Sequence, residues 1–214
     1  MKSLVGYLDD VYDSTSNIRR NLKKHDIELH TMSDIQDVTN VETIIDYILD
    51  NEISCLMVDY DLMQLKSKKY GTIVIKELND SLPSFPCFLL TNYVGPGQDE
   101  KIVQSIFVED KDIFVEDSDS ERFVNFIFKI KNGIDCYKNR IELTLTDYEL
   151  LFKKYKEKSI TSEEEYKFHS LYRILKAYHY VDDIPDFLLY KETKDSLVKM
   201  LDILDSIDKK IEEK

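Results

Sequence analysis

Five short apolar runs, each leading into a stretch with one apolar helical face, decide what residues 1–131 can fold into. Residues 3–8, 27–31, 53–58, 86–90 and 112–115 read as strands. Residues 14–24 follow the first run as a helix, with Ser14 or Ser16 as N-cap. Val41, Ile44, Ile45, Ile48 and Leu49 recur at helical spacing after the second. Ile73, Val74 and Leu78 mark the third helix. Ile102, Val103, Ile106 and Phe107 mark the fourth, and Phe123, Phe126, Ile127 and Ile130 the fifth. Runs as apolar as 53–58 and 86–90 belong to strands covered on both faces, which is the condition of a parallel sheet. Five β-α units therefore predict a five-stranded, doubly wound parallel sheet. Right-handed crossovers place every strand's C-terminal end on one edge, where such sheets carry their sites. The residues delivered to that edge are Asp9, Asp10, Asp59 and Thr91.

The pattern changes at residue 139. From there it is helical, so the chain divides into an α/β domain, 1–133, and an all-α region, 139–214. Thr146 with Glu149 has capping-box spacing, and residues 161–165 open another helix with acids in its first turn. Phe168, Leu171, Tyr172, Leu175 and Tyr178 continue it. Beyond Pro185 a last helix carries Val198, Leu201, Leu204 and Ile207 as an apolar stripe. Some 75 residues of helix bury only a modest core. The stripe is therefore expected to pack on the first domain's own helices or on another chain, as in a homo-oligomer.

Charge and composition exclude several classes. The 29 Lys and Arg stand against 42 Asp and Glu, a net charge of −13, and residues 1–138 hold 25 of those acids against 15 basic residues. A nucleic-acid binder needs the opposite balance to neutralise phosphates, so nucleic acid is not the expected partner. No apolar run approaches the ~18 residues of a membrane span, and residues 1–4 lead into a charged segment rather than a signal peptide. Cys55, Cys87 and Cys136 are odd in number, far apart and without zinc spacing, which predicts a reducing, cytoplasmic setting. His25, His30, His169 and His179 likewise lack metal-ligand spacing.

Three carboxylates converging on one sheet edge repel one another unless a cation neutralises them, and a hard divalent ion, Mg²⁺ first, suits oxygen ligands. Any one of these acids could instead cap a helix or turn. The set resembles the receiver domain of response regulators in two-component signalling. The resemblance rests on Leu8-Asp9-Asp10 after the first strand, Val58-Asp59 after the third and Leu90-Thr91-Asn92 after the fourth. It covers residues 1–131 and implies a flavodoxin-like fold. It implies Asp59 as phosphoacceptor, with Mg²⁺ held by Asp9, Asp10, Asp59 and the backbone carbonyl of Asp61. Thr91 would be the switch hydroxyl. A histidine kinase or phosphotransfer protein would be the donor, and the output would be protein–protein interaction rather than enzymatic turnover.

A receiver also has a Lys after its fifth strand, usually followed by Pro. If that strand spans 104–110, Lys111 fills the position, without the Pro. If it spans 112–115, the fourth helix keeps its apolar face and the position falls to Glu116 or Asp117. The second register accounts for more of the pattern, and an acid there would oppose a dianionic phosphoryl group. A competing reading is thus a pseudo-receiver, never phosphorylated, that serves as a scaffold. Two other likenesses are weaker. Asp59-Tyr60-Asp61 resembles the haloacid-dehalogenase nucleophile motif, but its companion acids lie upstream. Residues 143–151 resemble a winged-helix entry, but no basic recognition helix follows.

Overall fold

The computed structural model describes residues 3–11, 15–35, 38–65, 69–92 and 101–182. Two compact units divide the chain, Met1–Thr146 and Asp147–Lys214. The first unit contains β1 (Ser3–Leu8), α1 (Thr15–Lys23), β2 (Ile27–Thr31), α2 (Val41–Asp50) and β3 (Cys55–Asp59). A two-residue ladder follows, β4 (Asp61–Leu62) with β5 (Lys69–Tyr70), and then α3 (Gly71–Ser81), β6 (Cys87–Thr91) and β7 (Val108–Asp110). A long helix, α4 (Glu121–Lys156), begins here and ends in the second unit, which also holds α5 (Ser162–Ala177).

The main sheet has the order β2-β1-β3-β6-β7, and all of its pairings are parallel. This is the doubly wound parallel α/β fold that the alternation of apolar runs predicts. β3 and β6 are buried at every residue, as their unbroken apolar sequences require. β2 lies at the sheet edge and alternates instead. One face of the sheet packs Val5, Tyr7, Met57, Phe88 and Leu90 against Ile18 and Leu22 of α1 and Phe123, Phe126 and Ile130 of α4. Strand order reverses between β1 and β3, which opens a crevice at their C-terminal ends.

Two expectations are corrected. The fifth strand is Val108–Asp110, not 112–115; the latter residues lie in a 3₁₀ turn, Lys111–Phe114, and the start of the loop after it. The apolar pair that suggested a strand, Ile113 and Phe114, is buried from that turn, and the Asp110 carboxylate accepts the Asp112 N–H at 2.9 Å to start it. Ile102, Val103, Ile106 and Phe107 share no α-helical face. Ser105–Phe107 is a 3₁₀ turn that leads directly into β7, and Ile106 points out.

The second unit is a returning pair of helical segments. Phe168 of α5 stacks between Tyr148 and Tyr155, with ring centroids 5.1 Å away in each case. Thr161 and Glu164 form the reciprocal capping box that starts α5. Thr146 starts nothing: α4 runs through it, as it does through 134–138. The Thr146 hydroxyl donates to the Glu142 carbonyl at 2.9 Å, which satisfies it inside the helix. Val198, Leu201, Leu204 and Ile207 lie outside the described residues. Among the described residues, no helix is long and apolar enough to cross a membrane.

Candidate functional site

Strand register assembles the site. Leu8 pairs with Val58, so Asp9, one residue past β1, falls beside Asp59 at the end of β3. Asp59 pairs with Leu90, and Thr91, the next residue, pairs with Asp110, which is followed by Lys111. Five residues from four strands thus reach one edge. Oxygens of Asp9, Asp10 and Asp59 all lie within 4.8 Å of one another. Asp9 and Asp59 are buried, whereas Asp10 is half-buried.

Lys111 lies between two of these acids. Its Nζ is 2.9 Å from Asp9 Oδ2 and 2.9 Å from Asp59 Oδ1. Asp9 Oδ2 also accepts the Tyr7 hydroxyl, and Asp9 Oδ1 accepts the Val11 N–H at 2.9 Å. Asp10 Oδ2 accepts the Gln64 N–H at 2.9 Å, which ties the end of β1 to the loop after β3. Asp61 lines the same cleft, with its carboxylate turned to the Met63 N–H at 3.0 Å. Thr91 is buried at the end of β6. Glu116, the other occupant considered for the lysine position, is engaged elsewhere, at 2.8 Å from both Arg122 and Ser120.

Electrostatics follow from this crowding. Burial pushes the Asp59 carboxyl up to about 6; the Lys111 ammonium opposes that rise and the Asp9 charge adds to it. Asp10 is also raised, by burial first and by its acidic neighbours Asp9 and Asp61. For Lys111, burial pulls downward, but attraction to Asp59 and hydrogen bonds to Asp59 and Asp9 leave the ammonium raised. The site therefore holds more negative charge than one lysine neutralises. Convergent hard oxygen donors with that excess could hold a metal ion, on Asp9, Asp10 and Asp59.

Three residues of the site gave no functional signal in the sequence. Tyr7 lies inside the first apolar run, and Gln64 and Gly71 lie between the third run and its helix; none of these residue types marks a site by itself. A Cβ on Gly71 would lie 2.0 Å from the Asp59 carbonyl oxygen, and the Gly71 N–H donates to the Tyr60 carbonyl at 2.8 Å. Only glycine lets α3 begin this close to the backbone of Asp59. His25 bonds the Ser118 carbonyl and His30 the Tyr47 hydroxyl.

No family model and no curated protein matches this sequence. Among solved structures, the chain is similar to a sensor protein from Polaromonas sp. JS666, at 13% identity and a TM-score of 0.46, over 64% of this chain and 99% of that one. It is similar to the response regulator StyR at 17% identity and a TM-score of 0.45, over 94% and 93% of the two chains. A third likeness, at 13% identity and a TM-score of 0.44, is to a fusion carrying a yeast Spc42 trimeric coiled coil, over 84% and 97%.

Proposed function

We propose that this chain is a receiver-type signalling protein that accepts a phosphoryl group on Asp59. The observation that carries the reading is the Lys111 ammonium, 2.9 Å from Asp59 in a cluster that still has carboxylates to spare for a metal. An Asp59 oxygen would attack the phosphorus of a phosphohistidine on a histidine kinase or phosphotransfer protein. The P–N bond breaks, the leaving imidazole takes a proton, and an acyl phosphate remains. Lys111 would then pair with the phosphoryl oxygens and the Thr91 hydroxyl would donate to one of them. Bound Mg²⁺, held by Asp10 and Asp59 with Asp9 and the Asp61 carbonyl, would neutralise charge on the transferring group. The protein acts as an acceptor rather than an enzyme, and its output is through contacts of its helical C-terminal region with a protein partner. Cys55 and Cys87, buried free thiols raised by burial, suit a reducing cytoplasm.

The test is Mg²⁺-dependent labelling from phosphoramidate or a histidine phosphodonor. It should yield a hydroxylamine-sensitive bond, as an acyl phosphate gives, and disappear in Asp59→Asn. Labelling that survives this substitution removes Asp59 as acceptor. No labelling of the unmodified chain by either donor would leave the scaffold reading in its place.

A further inference from the structure

Tyr7 takes no part in the transfer described above, yet it carries a polar group into the core. The side chain is only 2% exposed and packs in the cluster beneath the sheet edge, where a phenylalanine would fill nearly the same space. A buried hydroxyl is costly unless bonded. This one donates to Asp9 Oδ2. Residues two apart on a strand share a face, so β1 aims Tyr7 along the line that Asp9 continues. The same Oδ2 accepts Lys111 Nζ at 2.9 Å, while Oδ1 is fixed by the Val11 N–H. Lys111 Nζ also lies 2.9 Å from Asp59 Oδ1. A continuous chain therefore runs from a core hydroxyl, through one carboxylate, to the ammonium beside the acceptor.

We propose that Tyr7 is a positioning residue: its hydroxyl locks the Asp9 carboxylate in the orientation that presents Oδ2 to Lys111, and so aims the ammonium at Asp59. Its use in transfer rests on the phosphoacceptor reading, but the lock itself belongs to the resting site. Without the hydroxyl, Asp9 Oδ2 loses the donor that comes from the core, and its hold on Lys111 loosens. Lys111 then loses a fixed anchor and is spread over several positions. Tyr7 touches neither donor nor phosphoryl group, so its effect passes through Asp9, and on this proposal from there to Lys111.

Two measurements on Tyr7→Phe test this, one of them independent of transfer. In metal-free protein, the Lys111 ¹H–¹⁵Nζ ammonium signal should be resolved in the unmodified chain. It should broaden or move to the position of exposed lysines in Tyr7→Phe. An unchanged Lys111 signal overturns the proposal. In Mg²⁺-dependent labelling by phosphoramidate, Tyr7→Phe should slow the reaction about fivefold, the worth of one ordinary hydrogen bond. In a Lys111→Met background it should add less than about twofold, since coupled residues are non-additive. Equal slowing in both backgrounds shows that Tyr7 does not act through Lys111 and overturns the proposal. Absence of labelling in the unmodified chain defeats the phosphoacceptor reading, while the ammonium signal still decides whether Tyr7 locks the site. Should Tyr7→Phe fail to fold, the Tyr7 hydroxyl proton of the unmodified chain decides: slow exchange with solvent is expected, and free exchange overturns the lock.

Discussion

Asp59 is held where its charge is disfavoured, and that has a measurable cost. Its carboxyl is raised from 3.8 to about 6, chiefly by burial. Between these two values the folded chain keeps a proton that the unfolded chain has lost. Stability contributed by this group therefore falls as pH rises through that window and is level above it. At about 1.4 kcal/mol per pH unit, the loss at neutral pH is on the order of 3 kcal/mol. Asp59→Asn, which cannot ionise, should stabilise metal-free protein at pH 7.5 by about 1–3 kcal/mol, and the gain should shrink toward pH 4. Urea unfolding across that range checks it, and a constant difference would mean that Asp59 is not strained. Lys111→Met should do the reverse. It leaves the buried Asp9 and Asp59 carboxylates facing each other without their shared cation, a loss of about 2–4 kcal/mol at pH 7.5 that added Mg²⁺ partly restores. Unfolding with and without 10 times the metal's dissociation constant would show it.

Among the elements, α3 begins in close contact with Asp59. Gly71 begins the helix against the Asp59 carbonyl, and the Tyr60 and Tyr70 rings stack with centroids 5.0 Å apart across the intervening β4–β5 ladder. Gly71→Ala forces a methyl group into backbone that cannot yield like a side chain. It should cost about 2–4 kcal/mol and, on the proposed function, reduce Asp59 labelling, because the collision displaces the backbone of Asp59 itself. Gly133, inside α4, is the control. A Cβ there would sit 3.2 Å from Pro86 Cβ, and helix propensity favours alanine by about 1 kcal/mol, so Gly133→Ala should change stability by less than about 1 kcal/mol. Comparable losses in the two variants would show that the Gly71 contact does not single out the site. At this scale the sequence was partly legible. The β-α alternation gave β1 and β2 to the residue, since each run is bounded by polar residues or a turn. It could not separate a 3₁₀ turn from a strand at 111–114, because two buried apolar residues in a row satisfy either geometry.

For the whole molecule, a net charge of −13 with carboxylates gathered at one edge would make binding of a divalent cation there a stability term. Mg²⁺ at ten times its dissociation constant should stabilise the chain by about 1.4 kcal/mol, read as a rise in melting temperature. The rise should vanish in Asp10→Ala and persist in Glu116→Gln, whose carboxylate pairs with Arg122 rather than facing the cleft. Equal shifts in both variants would point to diffuse screening of surface charge instead of a site.

What the sequence determined by itself was the parallel α/β layout and the identity of the acids at its C-terminal edge. Apolar periodicity and strand-end polarity are local properties, written in consecutive residues. Tertiary structure alone decided what faces those acids. Lys111 is about fifty residues from Asp59 in the chain, and whether it or Glu116 reaches the carboxylates depends on where β7 starts against β6, a register fixed by packing. The same holds for Tyr7, Gln64 and Gly71. A core aromatic, a loop amide and a turn glycine carry no chemical signature along the chain, and each gains its part only through the groups that folding brings within hydrogen-bonding or contact distance.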